Sequence, residues 1–516
     1  MPRVTAKSLY NKLRDSSVIA NNEAYAQWTV AQLMVDPQVN FGRHKTIERD
    51  YQSIGALLVN SLASKLAQLL FPIQNPFFTL DIGEALKQEN RKAGRSNEEL
   101  DSIVSTAVRD ACRSLFKNSS YASIITALKH LVVTGNVLIH VDEKANKINT
   151  YGLQQFVTRR AGNGDPILIV HRERTYVEAL DYEDQEILRR VDRQRYSRPE
   201  QEVTLYSRIQ RVALPERRFQ WVVTREVDEY QLPGQDTYPA NECPWVAIAI
   251  NVISGTHYGF GLVSEYAGDF ARLSDVSEAA VLYGIEISRI INLVSTGSGA
   301  DIDDLTRADT GEYIQGDKDS VNPVESGDSN KLRVLLDMEN GTMQRLSRAF
   351  MYNGPARDAE RVTMYELQLQ AQEANNQLGG LFSTLAESVQ IPLAVLKLRQ
   401  VAPSLMPGIS TGLLVPDITA GVNALGRSEE VQSLLLATQE INAVAQVLFQ
   451  IDKRINPEAV LDMIYASRSV QAEKLKYDKA TLAKLQEAAA NQAQGASELA
   501  QASAANDTLQ AIQETM

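Results

Sequence analysis

The chain has 516 residues, of which 44% are hydrophobic and 22% are charged, a balance that excludes a disordered protein and favours a soluble globular one. Its formal net charge of −12 excludes a protein that grips nucleic acid over its whole surface, although it allows one through which DNA slides. The two cysteines, Cys112 and Cys243, form no CxxC pair, which predicts a reducing compartment without a disulfide scaffold.

The most apolar stretch, 55–73, is predicted to be a buried amphipathic helix and not a membrane span. Lys65 lies near its middle, and a lysine there costs roughly 2.5–3.5 kcal/mol on membrane-insertion scales. Residues 1–13 lack the apolar segment and small-residue cleavage site of a signal peptide. We therefore expect neither a membrane span nor a secretory leader.

Helices dominate the first part of the sequence. Apolar residues recur at helical spacing over 45–70, and this helix stops at Phe71-Pro72 because the residue before a proline disfavours the α conformation. Two more helices are predicted downstream, over 100–116 and 124–133.

A region rich in strands follows, up to about residue 260. Gly135-Asn136 is typical of a turn that leads into it. Short runs of β-branched and aromatic residues, broken by Pro and Gly, predict strands at 137–141, 167–170, 203–206 and 219–223.

An arginine-rich segment lies among these strands. Its first part, 182–196, has Glu and Arg at helical salt-bridge spacing and predicts a helix. The arginines of the segment are Arg189, Arg190, Arg193, Arg195, Arg198, Arg208, Arg211, Arg217 and Arg218. Because acidic residues interleave with them, two interpretations stay open: a contact with DNA or an acidic protein, or a solvated face with internal ion pairs.

Two helices are predicted on either side of an acidic segment. Apolar residues from Tyr266 to Ile291 fall three, four or seven apart and give one continuous stripe, and helical character returns over 333–352. The segment between them, 295–330, carries nine acidic residues against one arginine and one lysine. An insertion of this length is often functional, which favours a docking surface for a basic partner. The alternative interpretation is a simple exposed loop.

A small polar loop, 353–360, precedes another long helix. Thr363 and Glu366 form a capping box, and apolar residues then alternate in steps of four and three, as in a packed seam. Gly379-Gly380 within the seam predicts a kink, since each glycine costs about 1 kcal/mol relative to alanine. The remainder is predicted as a Pro/Gly-rich connection, two helices and an Ala-rich end, over 402–426, 429–449, 458–468 and 471–516.

Catalytic motifs are missing from the sequence. There is no GxxxxGK followed by Ser or Thr, so the phosphate-binding loop of an ATP-driven motor is not expected. Gly259-x-Gly261 precedes a helix but lacks a third glycine, and a helix start explains it better than a nucleotide. The five histidines are scattered, without HExxH or paired Cys/His spacing. We therefore predict no enzyme, no cofactor and no metal.

Several segments together resemble the portal, or head-to-tail connector, proteins of T7-like podoviruses. They occur in family order and cover most of the chain, although each alone is only a helix or turn pattern. The segments are NSLASKLAQLLFPIQNPFF at 60–78, ALKHLVVTGNVLIHV at 127–141, YPANECPWVAI at 238–248, HYGFGLVSEYAGDFARL at 257–273, ERVTMYELQLQ at 360–370, LGGLFSTLAESVQIPL at 378–393 and ITAGVNALGR at 418–427.

The resemblance implies a mainly α fold with a smaller α+β wing region, assembled as a ring of twelve subunits. It divides the chain into a mixed α/β wing, a first stem helix, a clip, a second stem helix, a channel loop, a kinked wing helix with a return to the wing, a crown and a C-terminal helical barrel or tail. The corresponding ranges are 1–261, 262–293, 294–332, 333–352, 353–362, 363–426, 427–470 and 471–516.

The resemblance also implies a role: a structural conduit for double-stranded DNA packaging and ejection at one capsid vertex of the virion, assembled in the host cytoplasm. The implied partners are further copies of the chain, the DNA, the major capsid protein, scaffolding protein, the terminase large subunit, a tail adaptor and internal core proteins. The residues expected to face DNA in the loop are Asn353, Arg357, Asp358 and Arg361. Those expected to form the clip docking surface are Asp301, Asp303, Asp304, Asp309 and Glu312.

Two alternatives stay open. The first is another non-enzymatic virion protein, such as an adaptor or internal scaffold; a scaffold, however, should be mostly helical and extended, without the strands of 137–260. The second is an enzyme, for instance a nuclease or motor subunit, against which the missing phosphate-binding loop and metal-ligand cluster count. The two loop arginines could also pair with Asp358 and Glu360 instead of facing DNA.

Overall fold

The computed structural model of the chain describes residues 4–39, 41–42, 50–73, 75–92, 97–215, 218–288, 290–294, 301–307, 321–325, 329–352 and 384–419. All of them belong to the first of the two compact units into which the chain divides, Met1–Asn423. About half of these residues are helical. No helix among them is long and apolar enough to cross a membrane.

Two short helices open the fold, α1 (Ala6–Leu13) and α2 (Ser16–Trp28). The side chains of Thr5 and Asp15 accept hydrogen bonds from the first N–H groups of these helices, which is why each helix begins where it does. The buried carboxylate of Glu226 also accepts from the Ala6 N–H at 2.6 Å. The first turn of α1 is thereby tied to a strand far along the chain.

Four helices follow and surround the main hydrophobic core. They are α3 (Ile54–Leu70), α4 (Glu84–Lys92), α5 (Asn97–Ser114) and α6 (Ser120–Thr134). In α3 the buried leucines recur every four residues, at Leu58, Leu62, Leu66 and Leu70, so one face is apolar throughout and packs against α6.

The strands form antiparallel sheets. In chain order they are β1 (Phe78–Ile82), β2 (Asn136–Asp142), β3 (Lys147–Tyr151), β4 (Phe156–Arg160), β5 (Pro166–Tyr176), β6 (Glu202–Ala213), β7 (Phe219–Val227), β8 (Tyr230–Gln231), β9 (Asp236–Pro239) and β10 (Trp245–Ala249). One sheet has the order β10-β2-β3, and another has the order β4-β5-β6-β7-β8 with β9 paired to β7. β1 pairs with β13 (Leu414–Ile418).

The larger sheet is covered on both faces. On one face Leu168 and Val170 pack against Tyr10 of α1. On the other face Ile169 and Ile209 join the main core. Between β5 and β6 lie α7 (Tyr182–Val191) and α8 (Arg193–Tyr196), which pack on a small separate cluster around Leu188 and Tyr196.

After β10 the chain forms two long helices with a smaller sheet between them in sequence. The elements are α9 (Leu262–Glu265), α10 (Ala267–Ile287), β11 (Ile290–Val294), α11 (Ile302–Arg307), β12 (Val321–Glu325) and α12 (Ser329–Ala349). The helix predicted over 262–293 therefore ends at Ile287, and the apolar run after it pairs with β12 in antiparallel register. A short apolar run has no period that separates helix from strand, so its partner decides.

The last described segment, 384–419, begins with a helix that changes its winding. Residues Ala386–Gln390 form a π-helical turn, followed by α13 (Ile391–Val401) and α14 (Met406–Ser410). Pro392 has no N–H to donate and disfavours the α conformation before it, which accounts for a wider turn at this point. The buried Gln390 side chain donates to the Leu70 carbonyl at 2.6 Å and fixes the turn against α3.

Most of the local sequence predictions that fall on described residues are confirmed. The strands predicted from 137 to 223 lie within β2, β5, β6 and β7, and the predicted helices correspond to α3, α5, α6, α7 and α12. The helix predicted over 45–70 is too long at its start, because residues 50–53 are not helical and α3 begins at Ile54. The expectation of a mainly α fold with a smaller α+β region is confirmed only in part: about half of the described residues are helical, and the strands lie mostly before residue 261. The kink at Gly379-Gly380, the helices predicted at 429–449 and 458–468 and the C-terminal end lie outside the described residues, and the division into wing, stem, clip and crown stays a prediction.

Candidate functional site

The feature most relevant to function is the antiparallel pair of α10 and α12. At one end, the base, Phe270 packs edge-on against Phe350 with ring centroids 5.6 Å apart, and Tyr266 contacts the same ring at 6.0 Å. Phe270, Leu273 and Leu346 are fully or almost fully buried. Aromatic pairs in this geometry stabilise the contact beyond the area they bury. The base of the pair is therefore firmly attached to the main core.

Two polar contacts fix the register of the pair. The Ser277 hydroxyl donates to the Glu339 carboxylate at 2.7 Å, and the Arg345 guanidinium donates to Asp269 at 2.7 Å. Asp269, near the start of α10, pairs with Arg345, near the end of α12, whereas Ser277, further along α10, pairs with Glu339, earlier in α12. The two helices therefore run in opposite directions. Residues on the two helices can therefore be assigned to matching heights along the pair.

Three closely packed glycines hold the segment that leads into α9, the short helix before α10. A Cβ atom at Gly259 would lie 2.0 Å from the Ile250 oxygen, and one at Gly261 would lie 2.5 Å from the Val133 oxygen. Gly135, with φ +72, meets the Phe260 backbone in the same way, at 2.3 Å. This backbone crossing requires glycine at all three positions, and it accounts for Gly259 and Gly261 without a nucleotide.

One buried asparagine connects the same crossing through its side chain. The Asn136 amide donates to the Thr134 and Gly259 carbonyls at 2.6 and 2.8 Å and accepts from the Gly259 N–H at 2.8 Å. Asn136 is 1% exposed, so water does not compete for these bonds. The turn at Gly135-Asn136, predicted only as a local turn, is the point where the start of β2 is joined to the segment that leads into α9.

The end of α12 is fixed by Lys65, the residue that argued against a membrane span. Its ammonium group donates to the Met351 carbonyl, in the turn just after α12. The C-terminal end of a helix carries partial negative charge and unsatisfied carbonyls, which a lysine complements. A half-buried lysine in an apolar helix thus has a structural partner that no local pattern could indicate.

In sequence, the acidic segment connects the end of α10 to the start of α12. Asp301 and Asp303 are exposed, and the Asp301 carboxylate accepts from the Asp303 N–H at 3.0 Å at the start of α11. Of the other predicted clip residues, the side chain of Asp304 and all of Asp309 and Glu312 lie outside the described residues.

The predicted DNA-facing residues lie outside the described residues altogether. They are Asn353, Arg357, Asp358 and Arg361. The chain before them ends, as described, at Tyr352, directly after the turn that Lys65 holds. Their role therefore stays a prediction.

The arginine-rich segment is largely involved in internal contacts. Arg189 pairs with Glu186 at 3.0 Å, Arg195 pairs with Asp228 at 2.6 Å, and Arg211 lies 3.8 Å from the centre of the Phe219 ring. These contacts favour the solvated face with internal ion pairs. Arg190, Arg193 and Arg198 are exposed, and Arg217 lies outside the described residues.

Two of the described histidines, His130 and His171, and both cysteines are buried. Burial lowers the pKa of His130 to about 4 and that of His171 to about 3, so both imidazoles are neutral near pH 7. His171 is enclosed by Tyr151 and Trp245, with ring centroids 4.0 and 5.1 Å away. Burial also raises the pKa of the Cys112 thiol to about 11, far from that of a reactive thiolate. Among the described residues there is no group of three or more His, Cys, Asp and Glu that could hold a metal ion.

The polar side chains described above join one element of the fold to another. The chain belongs to the bacteriophage head to tail connecting protein family, whose sequence pattern it matches over residues 3–475. This confirms the resemblance found in the sequence.

Two curated relatives illustrate the match. The chain is 37% identical over 507 residues to the portal protein of Pseudomonas phage phiKMV, covering 98% of this chain and 97% of that protein. It is 29% identical over 439 residues to the portal protein of Escherichia phage T7, covering 83% and 80%. A solved structure of the neck of an empty gene transfer agent particle gives a TM-score of 0.40 at 11% identity, covering 79% of this chain and 89% of that one. The family assignment rests on the sequence matches.

Proposed function

We propose that twelve copies of this chain form a ring at one capsid vertex, through which double-stranded DNA passes during packaging and ejection. The observation that carries the proposal is the 37% identity to a phage portal protein along 98% of the chain. A match of this length leaves little of the chain free to form a different architecture, and it favours a portal over an adaptor or an internal scaffold.

The charge of the chain supports passage without capture. Duplex DNA carries one negative charge per roughly 1.7 Å of its axis and binds tightly where many lysines or arginines neutralise its phosphates. Each copy has a formal net charge of −12, so a ring of copies repels the duplex overall. Arg357 and Arg361 supply local guidance in the channel loop, with Asn353 and Asp358 beside them.

The acidic segment supports a docking role. Asp301 and Asp303 are exposed, in the segment that connects α10 to α12 in sequence. A basic surface on a terminase large subunit, and later on a tail adaptor, would find complementary charge there. Contacts with capsid, scaffolding and internal core proteins belong to other parts of the ring, and the assembled ring resides in the virion.

The first test is the mass of the purified protein in solution. We expect an assembly near twelve times the chain mass of 57.2 kDa, with a central hole in negative-stain images. A different ring size would revise the number of copies only. A monomer or small compact oligomer under all conditions would contradict the portal assignment.

The second test concerns the loop. Arg357→Ala should impair DNA packaging or retention while the ring assembles normally, because one guiding charge per copy is lost. Arg193→Ala, which removes an exposed arginine of α8, is the matched control and should package normally. Normal packaging by Arg357→Ala would overturn the role of that residue without touching the ring.

A further inference from the structure

Four rings from four strands meet where two sheets of the fold contact each other. His140 on β2, Tyr151 on β3 and Trp245 on β10 belong to the three-stranded sheet, and His171 on β5 belongs to the larger, six-stranded sheet. We call these four residues the ring cluster. In the part of the chain that the structure describes, no strand ladder joins the two sheets, so side-chain contacts hold them together.

The rings of the cluster are closely packed. The His140 imidazole lies nearly parallel to the Trp245 indole, with ring centroids 3.9 Å apart, and the two residues face each other in the β2–β10 ladder. The His171 imidazole comes from the larger sheet and lies 4.0 Å from the Tyr151 ring and 5.1 Å from the Trp245 ring. One indole therefore contacts an imidazole from each sheet.

His171 is buried without a hydrogen-bond partner. It is 0% exposed, and neither of its ring nitrogens has a partner among the described residues. Burying an unpaired polar atom costs free energy, and a phenyl ring would fill a similar space without that cost. Packing alone therefore does not account for an imidazole at this position. What an imidazole adds to a phenyl ring is the ability to accept a proton in weak acid.

The surroundings keep both imidazoles neutral near pH 7. Burial is the main reason that the pKa of His140 is lowered to about 4 and that of His171 to about 3. The positive charges of His140 and Arg172 add to the effect at His171, whereas Asp142 opposes it at His140. The titratable and charged groups around His171 are Arg172 and Glu173 on its own strand, His140 and Asp142 on β2 and Tyr151 on β3; its other neighbours are Phe156 on β4, Ser207 on β6 and Trp245 on β10, which carry no charge.

The two sheets also meet beside the ring cluster, at a contact that acid does not change. Two residues further along β10, the Ala247 carbonyl accepts a hydrogen bond from the Arg160 guanidinium of β4 at 3.1 Å. A guanidinium stays protonated in weak acid, so this contact persists when the imidazoles titrate. Trp245 itself borders a cavity of about 380 Å³, which Ile169 and Trp221 of the larger sheet also line. This space can admit water or a displaced ring.

We propose that the ring cluster is an acid-sensitive latch between the two sheets. While both imidazoles are neutral, the rings stay packed and the latch is closed. An indole face attracts a cation but offers it no hydrogen-bond acceptor, and two protonated imidazoles against one indole repel each other. Protonation therefore drives the rings apart towards water. The larger sheet, with α1 on one face, then loosens from the three-stranded sheet while the helical core stays folded. The latch belongs to a single copy of the chain and does not depend on ring formation.

The direction and size of the effect follow from proton linkage. An exposed imidazole has a pKa near 6.5, and the closed latch holds both values lower. Closure is therefore fully favoured above pH 6.5 and weakens as the pH falls. Between pH 7 and pH 5 each histidine multiplies the equilibrium constant for opening by roughly 20, and the two together multiply it by roughly 400.

The two natural cysteines measure opening in the full-length chain. Cys243 is buried in the cavity beside Trp245, whereas Cys112 is buried on α5. A pyridyl disulfide reacts with exposed thiols in weak acid as well as at neutral pH, and mass spectrometry of peptides gives the labelling rate of each cysteine. The ratio of the Cys243 rate to the Cys112 rate cancels the effect of pH on the reagent. We expect this ratio to rise by up to about 400-fold from pH 7 to pH 5 and to recover on neutralisation.

Variants of the histidines isolate their contribution. His140→Phe combined with His171→Phe keeps two rings but removes the sites of protonation, so the ratio should change by less than about twofold over the same pH range. His140→Phe alone, at a partly exposed position, should leave a change of roughly 20-fold, and it replaces the double variant if that does not fold. The matched control is His257→Gln, outside the ring cluster, which keeps an acceptor for the Arg160 N–H and should respond like the natural chain.

The results distinguish the latch from general acid unfolding. A response confined to Cys243, and removed together with the two imidazoles, supports the latch. Equal acceleration at Cys112 would mean that acid unfolds the chain as a whole, and the latch would be overturned. The same conclusion would follow from a ratio that does not change with pH in the natural chain, or from a full response in the double variant.

Discussion

Replacing Asn136 by alanine should destabilise the protein more than any nearby surface change. The substitution removes three hydrogen bonds and leaves the Gly259 N–H and the Gly259 and Thr134 carbonyls facing the space that the amide filled. Each buried group without its partner costs about 1–3 kcal/mol. Because the surrounding residues relax and some of the three groups find other partners, the sum is reduced, and we expect the free energy of unfolding to fall by about 3–5 kcal/mol.

The measurement is a denaturant titration followed by circular dichroism at fixed protomer concentration, because assembly shifts apparent stability. Asn163→Ala is the matched control: the Asn163 side chain also makes two hydrogen bonds, both to Asp165, but it is exposed. Water replaces those bonds, so the loss should stay below about 1 kcal/mol. If the free energy of unfolding fell equally in the two variants, the buried hydrogen bonds of Asn136 would not stabilise the fold as we describe.

Three further predictions follow from the same region and from the buried histidines. Gly259→Ala should lower the free energy of unfolding by about 1–3 kcal/mol or more, because the added Cβ would lie 2.0 Å from the Ile250 oxygen. Its control, Gly284→Ala, lies in a helix with nothing within 4 Å of the added Cβ, and it should leave the free energy of unfolding unchanged or raise it by up to about 1 kcal/mol. Lys65→Met should cost about 1–2 kcal/mol by losing the hydrogen bond to the Met351 carbonyl, and Lys92→Met, at the surface, should be silent. The folded-state pKa values of His130 and His171, about 4 and about 3, lie below the ordinary value of 6.5, so the stability that depends on their neutral form is complete above pH 6.5 and is lost as the pH falls. At pH 5 each buried histidine should lower the free energy of unfolding by about 2 kcal/mol. His171→Phe should remove the part of this pH dependence that belongs to His171, as measured by denaturant titrations at several pH values. A stability that did not vary between pH 7 and 5 would contradict the last of these.

Local patterns in the sequence sufficed for elements whose stabilising contacts are close in sequence. The four-residue spacing of leucines predicted α3, and a short run of β-branched residues after the turn at Gly135-Asn136 predicted β2. The apolar run at 290–294 was assigned to the preceding helix, because its strand partner at 321–325 lies beyond an intervening segment. An apolar run indicates that its side chains are buried. Whether its backbone is a helix or a strand depends on the segment with which it pairs.

The polar side chains were beyond prediction for a related reason. Lys65 and Met351 are 286 residues apart, and Asn136 and Gly259 are 123 apart. Nothing in the residues around Lys65 distinguishes a lysine that binds a helix end from one that reaches solvent. The histidines were expected to be either packed or at the surface, and His130 and His171 are packed. The predicted loop arginines lie outside the described residues, so their role depends on experiment.

The pair of α10 and α12 depends both on local apolar patterns and on contacts between residues that are far apart in sequence. At its base, Lys65 and the packed rings of Phe270 and Phe350 connect it to the core, and Asn136 fixes the segment that leads into α9. Towards the acidic segment the same helices expose Leu282, Ile285 and Val334. Burying a side chain of this size stabilises a protein by about 1.5–3 kcal/mol, so the remote half of the pair lacks, within one chain, the burial that the base has. In a ring, each neighbour would supply it. Stability in that half should therefore depend on assembly, whereas stability at the base should not.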